Sequence, residues 1–95
     1  MNLDDYTVMK KNMRIYLTTK EFEILKVLIM HPDKVFSAED IYRLVWHEDQ
    51  PISRNVINVH IKNLREKIED DPKNPELILT HWGFGYKLNK KVVKI

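Results

Sequence analysis

Only two glycines occur in 95 residues, and both flank one phenylalanine in Thr80-His-Trp-Gly-Phe-Gly-Tyr-Lys87. Without a Cβ, glycine enters positive φ and lets backbone approach another surface closely. The pair therefore predicts a tight reversal at Gly83-Phe84-Gly85. Leu77-Ile78-Leu79-Thr80 before it and Tyr86-Lys87-Leu88 after it supply the strands of a β-hairpin. Burial alone does not explain both Trp82 and Phe84 at the tip. Whatever precedes this segment must pack against a hairpin that carries aromatic rings at its turn.

The preceding segments read in order. Leu3 to Thr18 is extended: Tyr6, Val8, Ile15 and Leu17 alternate with polar neighbours, and Lys11-Asn12 suits a hairpin turn. Thr18-Thr-Lys-Glu21 is a capping box, opening a helix over about 19–30 with Phe22, Leu25, Leu28 and Ile29 on its inner stripe. His31-Pro32-Asp33 ends it, because the residue before proline is pushed out of the helical region. Val35-Phe36 is long enough only for an anchor between helices. Ser37-Ala-Glu-Asp40 is a second box, starting a short helix with Ile41, Leu44 and Val45 inward and fading near Trp46-His47. After a polar loop, Ser53 caps a third helix of about 54–69. At about 100° per residue, Ile57, Ile61, Leu64 and Ile68 share one narrow stripe, opposite Asn55, Val59, Lys62 and Glu66, with Asn63 at its flank.

Composition bounds the class. Ninety-five residues make one domain, and 43% hydrophobic with 32% charged residues suits a folded, well-solvated chain. The absence of cysteine excludes disulfides, thiolate metal sites and thiol-redox chemistry, and fits a reducing cytoplasm. No run is apolar enough for a membrane span, and the acidic start MNLDDY is no signal peptide. His31, His47, His60 and His81 lack metal-ligand spacing, and Gly83-x-Gly85 lacks the third glycine of a nucleotide fingerprint. Thr80 and His81 are strand neighbours pointing to opposite faces, so they form no nucleophile–base pair. We expect no enzyme, no metal and no cofactor. The net charge of +2 is modest, but it divides unevenly: 7 basic against 8 acidic residues in 1–48, and 9 against 6 in 49–95.

Short antiparallel strands, three helices and a glycine-tipped hairpin constitute an α+β winged helix-turn-helix layout. An α-helix fits the major groove of B-DNA, about 12 Å wide, and not the minor groove of about 6 Å. Arg54, Lys62, Arg65 and Lys67 give the third helix a basic character until its acidic exit at Glu69. Val59, apolar on a polar face, suits thymine methyl contact; its alternative is packing against a loop or simple exposure. Lys62, Asn63 and Arg65 suit phosphates or base edges, against a solvated surface as the alternative. Tyr86 combines an apolar ring with a hydroxyl for a phosphate.

The segments Leu17-Thr-Thr-Lys-Glu-Phe22, Ser37-Ala-Glu-Asp-Ile-Tyr-Arg-Leu-Val-Trp46, Val59-His-Ile-Lys-Asn-Leu-Arg-Glu-Lys-Ile68 and Thr80-His-Trp-Gly-Phe-Gly-Tyr-Lys-Leu88 occur in the order and spacing of a known family. In them the chain resembles the DNA-binding effector domain of OmpR/PhoB-type response regulators. The resemblance implies a bacterial two-component transcription regulator whose domains bind direct-repeat promoter sites as a head-to-tail pair. It places Asn55, Val59, His60, Lys62, Asn63 and Arg65 at the DNA, and Trp46, Thr80 and Tyr86 at its backbone. Ser53, Arg54, Trp82 and Lys87 complete the candidate DNA-binding set, with the third helix implied to lie in the major groove and the wing, residues 80–88, at the backbone or minor groove. The loop of His47, Glu48, Asp49, Gln50, Pro51 and Ile52 is implied to face RNA polymerase.

Three positions depart from the family pattern. Trp82 stands where many members carry a wing arginine, Asn63 where arginine often precedes Leu-Arg, and Val56 where threonine is usual. The family domain also starts with more strand and follows a phosphorylatable receiver domain. Neither fits in 95 residues, so the chain is expected to be an effector domain excised from a longer protein. The rival expectation is a winged helix that binds a protein partner through Val59, Trp82 and Phe84.

Overall fold

The computed structural model describes residues 6–47 and 54–89. Two strands, β1 (Thr7–Lys10) and β2 (Met13–Tyr16), are followed by helices α1 (Thr19–Met30), α2 (Ala38–Trp46) and α3 (Arg54–Ile68), and then by β3 (Ile78–His81) and β4 (Gly85–Leu88). Both strand pairs are antiparallel, running Thr7↔Tyr16 to Lys10↔Met13 and Ile78↔Leu88 to His81↔Gly85. The expected α+β layout with its C-terminal hairpin is present; Leu3 and the Ser53 cap lie outside the described residues.

Local chemistry accounts for the boundaries. Lys11 (φ 51°) and Asn12 (φ 65°) form the two-residue turn between β1 and β2, since the turns matching strand twist need positive φ at both centres. Thr18 and Ser37 cap α1 and α2 with complete capping boxes, their hydroxyls accepting from the Glu21 and Asp40 N–H groups and those carboxylates accepting in return. His47, left-handed at φ 59°, ends α2 by donating its N–H to the Arg43 carbonyl.

One apolar cluster fills the space between these elements. Phe22, Ile24, Leu25 and Leu28 of α1 meet Ala38, Ile41 and Val45 of α2, the Ile57, Ile61, Leu64 and Ile68 stripe of α3, and Ile78 and Leu88 of the hairpin. The α3 stripe is as the 3.6-residue period predicts. Two corrections concern the other helices. Leu44, expected inward, is half exposed at 50%. Relative to Ile41, Ala38 and Val45 lie about 60° and 40° to one side, whereas Leu44 lies about 60° to the other, outside the arc that packs. Ile24, absent from the expected stripe, is fully buried, because α1 packs against α2, α3 and β4 at once and buries a broad arc.

Phe36 does more than anchor a connection. Its N–H donates to the Tyr86 carbonyl at 2.8 Å and its carbonyl accepts from the Tyr86 N–H at 2.9 Å, a bridge on the free edge of β4. The Asp33 N–H adds a bond to the Leu88 carbonyl at 3.1 Å. Gly85 is required here, because a Cβ would lie 2.0 Å from the Phe36 carbonyl oxygen.

Candidate nucleic-acid interface

The interface starts from the two faces of α3. With Ile57, Ile61, Leu64 and Ile68 committed to the core, Arg54, Asn55, Val56, Val59, Lys62 and Glu66 are left exposed. Val59 is 54% exposed and no loop of the described residues covers it. Asn63 and His60 are half buried at the edges of this face.

Around the open face, the expected residues divide into those left available and those held by neighbours. Lys62 has no ion partner among the described residues. Arg54 pairs through Nε with Glu39 of α2 at 3.1 Å. Trp46 is half buried in a ring stack: Tyr42 lies parallel at 5.1 Å, His60 tilted at 5.4 Å, and the Lys20 ammonium 5.0 Å from the ring centre. This stack joins the ends of α1 and α2 to the rim of α3.

Arg65, expected at bases or phosphates, is engaged by the hairpin. Its Nε and Nη2 donate to the Ile78 carbonyl at 3.2 and 2.8 Å, and Nη2 also donates to Thr80 Oγ1 at 2.8 Å. Its guanidinium lies over the Tyr86 ring, 5.6 Å from the centre. A planar donor fork of this kind fixes geometry as well as contributing energy, so Arg65 fastens the hairpin to α3. Tyr86 reinforces the link. Burial pushes its pKa above the ordinary value, with Arg65 opposing, and the protonated hydroxyl donates to Asn58 Oδ1.

Glu69, buried at 6%, completes the attachment. Its two oxygens accept from the N–H groups of Glu76, Leu77 and Ile78 at 2.9–3.1 Å, clamping the loop that leads into β3. Sequence reasoning passed over Glu69, Asn58 and Glu39. Glu69 did leave a signal: a carboxylate at a helix C-terminus opposes the helix dipole, and such a charge persists where other donors compensate it.

At the far end of the hairpin, the Phe84 N–H donates to the His81 carbonyl at 2.9 Å, closing a turn with Gly83 at φ 83°. Trp82 is 86% exposed and Phe84 69%, so neither ring folds back onto the helices. Lys87 is half buried and His47 exposed; Glu48 to Ser53, including most of the expected polymerase-facing loop, lie outside the described residues.

A helix with one buried and one open face, fastened to a hairpin that projects beside it, defines a winged-helix DNA-binding domain. Residues 12–88 match the family described as transcriptional regulatory protein, C terminal, and the chain belongs to this OmpR/PhoB-type family of DNA-binding output domains. It is 46% identical over 90 residues to the uncharacterized transcriptional regulatory protein YcbL of Bacillus subtilis, covering 95% of this chain and 40% of that one. Among solved structures, the response regulator DrrB of Thermotoga maritima, an OmpR/PhoB homologue, superposes with a TM-score of 0.79 at 42% identity, over 87% of this chain and 37% of that one. The DNA-binding domain of Bacillus subtilis CssR gives 0.77 at 34% identity, over 92% and 94%. The chain thus spans less than half the length of YcbL and DrrB. No helix among the described residues is long and apolar enough to cross a membrane.

Proposed function

We propose that the domain recognises a specific double-stranded promoter sequence as the output module of a cytoplasmic two-component regulator, with α3 in the major groove and the β3–β4 wing at the adjoining backbone or minor groove. One observation carries this reading: the side of α3 bearing Asn55, Val59 and Lys62 is exposed, while the opposite side is buried. Val59 reads thymine methyl groups, Asn55 and Asn63 read base edges, and Lys62, Arg54, Ser53 and Lys87 meet phosphates. Trp46, His60, Thr80 and Tyr86 border the backbone, and Arg65 acts by holding the wing in register with α3.

The same reading extends to partners. In the full-length protein a receiver domain precedes this one, two copies bind direct repeats head to tail, and the loop from His47 to Ile52 faces RNA polymerase. The test begins by selecting bound duplexes from a random pool and titrating salt against the best of them. Phosphate neutralisation makes log affinity fall linearly with log salt, and Lys62→Ala reduces that slope by about one unit. Val59→Ser reduces discrimination by about 1–3 kcal/mol at a thymine-bearing position. A flat salt response, or equal losses for Val59→Ser on selected and random duplexes, overturns the assignment.

A further inference from the structure

The aromatic wing tip has no role yet. Trp82 is the most exposed large apolar side chain among the described residues, and Phe84 stands beside it. The tip is shaped to display them. His81 meets the Phe84 ring edge-on at 5.1 Å and braces it, whereas Trp82 has no ring contact among the described residues. Nothing lies within 4 Å of the position a Gly83 Cβ would take, so bare backbone separates the two rings. Lys and Arg are absent from residues 78–86, and Lys87 is the first cation along the strand.

The tip is also held at a set position relative to α3. Arg65 grips Ile78 and Thr80, Tyr86 donates to Asn58, and Phe36 is bonded on the outer edge of β4. In the binding mode proposed above, with α3 in a major groove, a hairpin held beside that helix is within reach of the adjoining minor groove. That groove, about 6 Å wide, is too narrow for a two-stranded ribbon but admits one ring projecting from its tip. A cation entering there exploits the negative potential of narrow A-tracts. An uncharged indole lacks that attraction and has instead the chemistry of an apolar wedge, which partly unstacks a base step and kinks the duplex.

We propose that Trp82, braced by Phe84 and His81, is a specificity-determining wedge that enters the minor groove beside the α3 site and selects for easily unstacked steps. The inference rests on the proposed binding mode of α3. Pyrimidine–purine steps (TA, CA) yield to such a wedge most readily, and A-tracts resist it.

The experiment uses a duplex selected from the random pool, re-synthesised with TA, CA or AA at each step beneath the wing and unchanged beneath α3. Wild type is expected to favour the best TA or CA duplex over its AA counterpart about tenfold and to bend it in a gel-phasing assay. Trp82→Ala loses both the preference and the bend while keeping the salt slope; Trp82→Phe keeps part of each. The exposure of Trp82 makes the folded state insensitive to either change, which a thermal melt checks. Retention of step preference and bend by Trp82→Ala overturns the wedge and leaves the α3 reading intact. Loss of salt-dependent binding by wild type itself overturns both.

Discussion

The described residues contain two hairpins of equal strand length, and they are held by different contacts. The first, β1–β2, meets the rest through the Tyr6–Phe22 edge contact at 5.1 Å, buried Thr7, half-buried Val8 and Ile15, and ion pairs from Lys10 and Lys11 to exposed Asp70. Met9, Met13 and Tyr16 face outward. The wing is gripped by directional bonds: the Arg65 fork, the Glu69 clamp, the Tyr86 hydroxyl and the Phe36 bridge. A lone two-stranded hairpin is marginal in water, so both need support, but the kind of support differs. Ring contacts and solvated ion pairs tolerate small shifts, whereas hydrogen bonds weaken steeply as their geometry departs from ideal. The hairpin that must keep its position relative to α3 is bonded to that helix directly, through the Arg65 fork and the Tyr86 hydroxyl.

The largest effect is expected where the wing grip is tightest. Gly85→Ala drives a methyl group into the Phe36 carbonyl at a φ of 149°, so the bridge must part. Strain and overpacking together cost about 3–5 kcal/mol. Gly83→Ala meets open space and only an unfavourable φ of 83°, costing about 1 kcal/mol. Urea denaturation of the two variants measures the difference. Equal losses would mean that the Phe36 bridge does not hold the wing.

Glu69→Gln is the next test of the same grip. It turns one acceptor oxygen into an NH₂ donor facing the N–H groups of residues 76–78. A buried donor left unmatched costs about 2 kcal/mol. Affinity for the selected duplex should fall with it, because the strand that Arg65 grips is released at its start.

These two positions also mark what the sequence discloses. Local chemistry was legible: the Thr18 and Ser37 boxes, the Lys11-Asn12 turn, the α3 stripe and the glycine reversal each depend on residues close in the chain. The occupation of Arg65 was not, because its acceptors lie 13 and 15 residues away, on a strand, β3, whose placement only the packed core decides. Leu44 misled because a nine-residue helix offers too few turns to fix the centre of its buried arc. At the candidate site, the open side of α3 followed from its periodicity. Which of its polar side chains are held by neighbours, as Arg54 is by Glu39, required the tertiary structure.

A third, smaller effect lies between the two hairpins. Glu21, buried at the start of α1 just after β2, accepts from the Thr18 N–H and from the Lys67 ammonium of α3. Burial alone would raise its pKa, but the Lys67 and Thr18 contacts outweigh it and hold the carboxyl below its ordinary 4.5. The stabilisation it provides is therefore complete above that value and is lost as pH falls through the lower, folded-state pKa. Urea midpoints recorded from about pH 6 down to pH 3 should decline, and Glu21→Gln should flatten that part of the curve. An unchanged slope in Glu21→Gln would show that the pair does not contribute to folding.

The smallest effect is expected at the first hairpin. Lys10, then Lys11, hold the Asp70 carboxyl below its usual pKa, at 2.9 and 3.1 Å. That shift translates poorly into stability, because the Asp70 side chain is 65% exposed. Water and salt screen such a pair, and ordering two long lysines offsets the attraction. Asp70→Asn should leave the thermal midpoint unchanged at physiological salt and lower it slightly only at low ionic strength. A loss as large as that of Glu69→Gln, persisting in high salt, would show that β1–β2 is also fastened by a specific polar lock. Directional attachment would then no longer distinguish the wing, and its link to holding a position relative to α3 would fail.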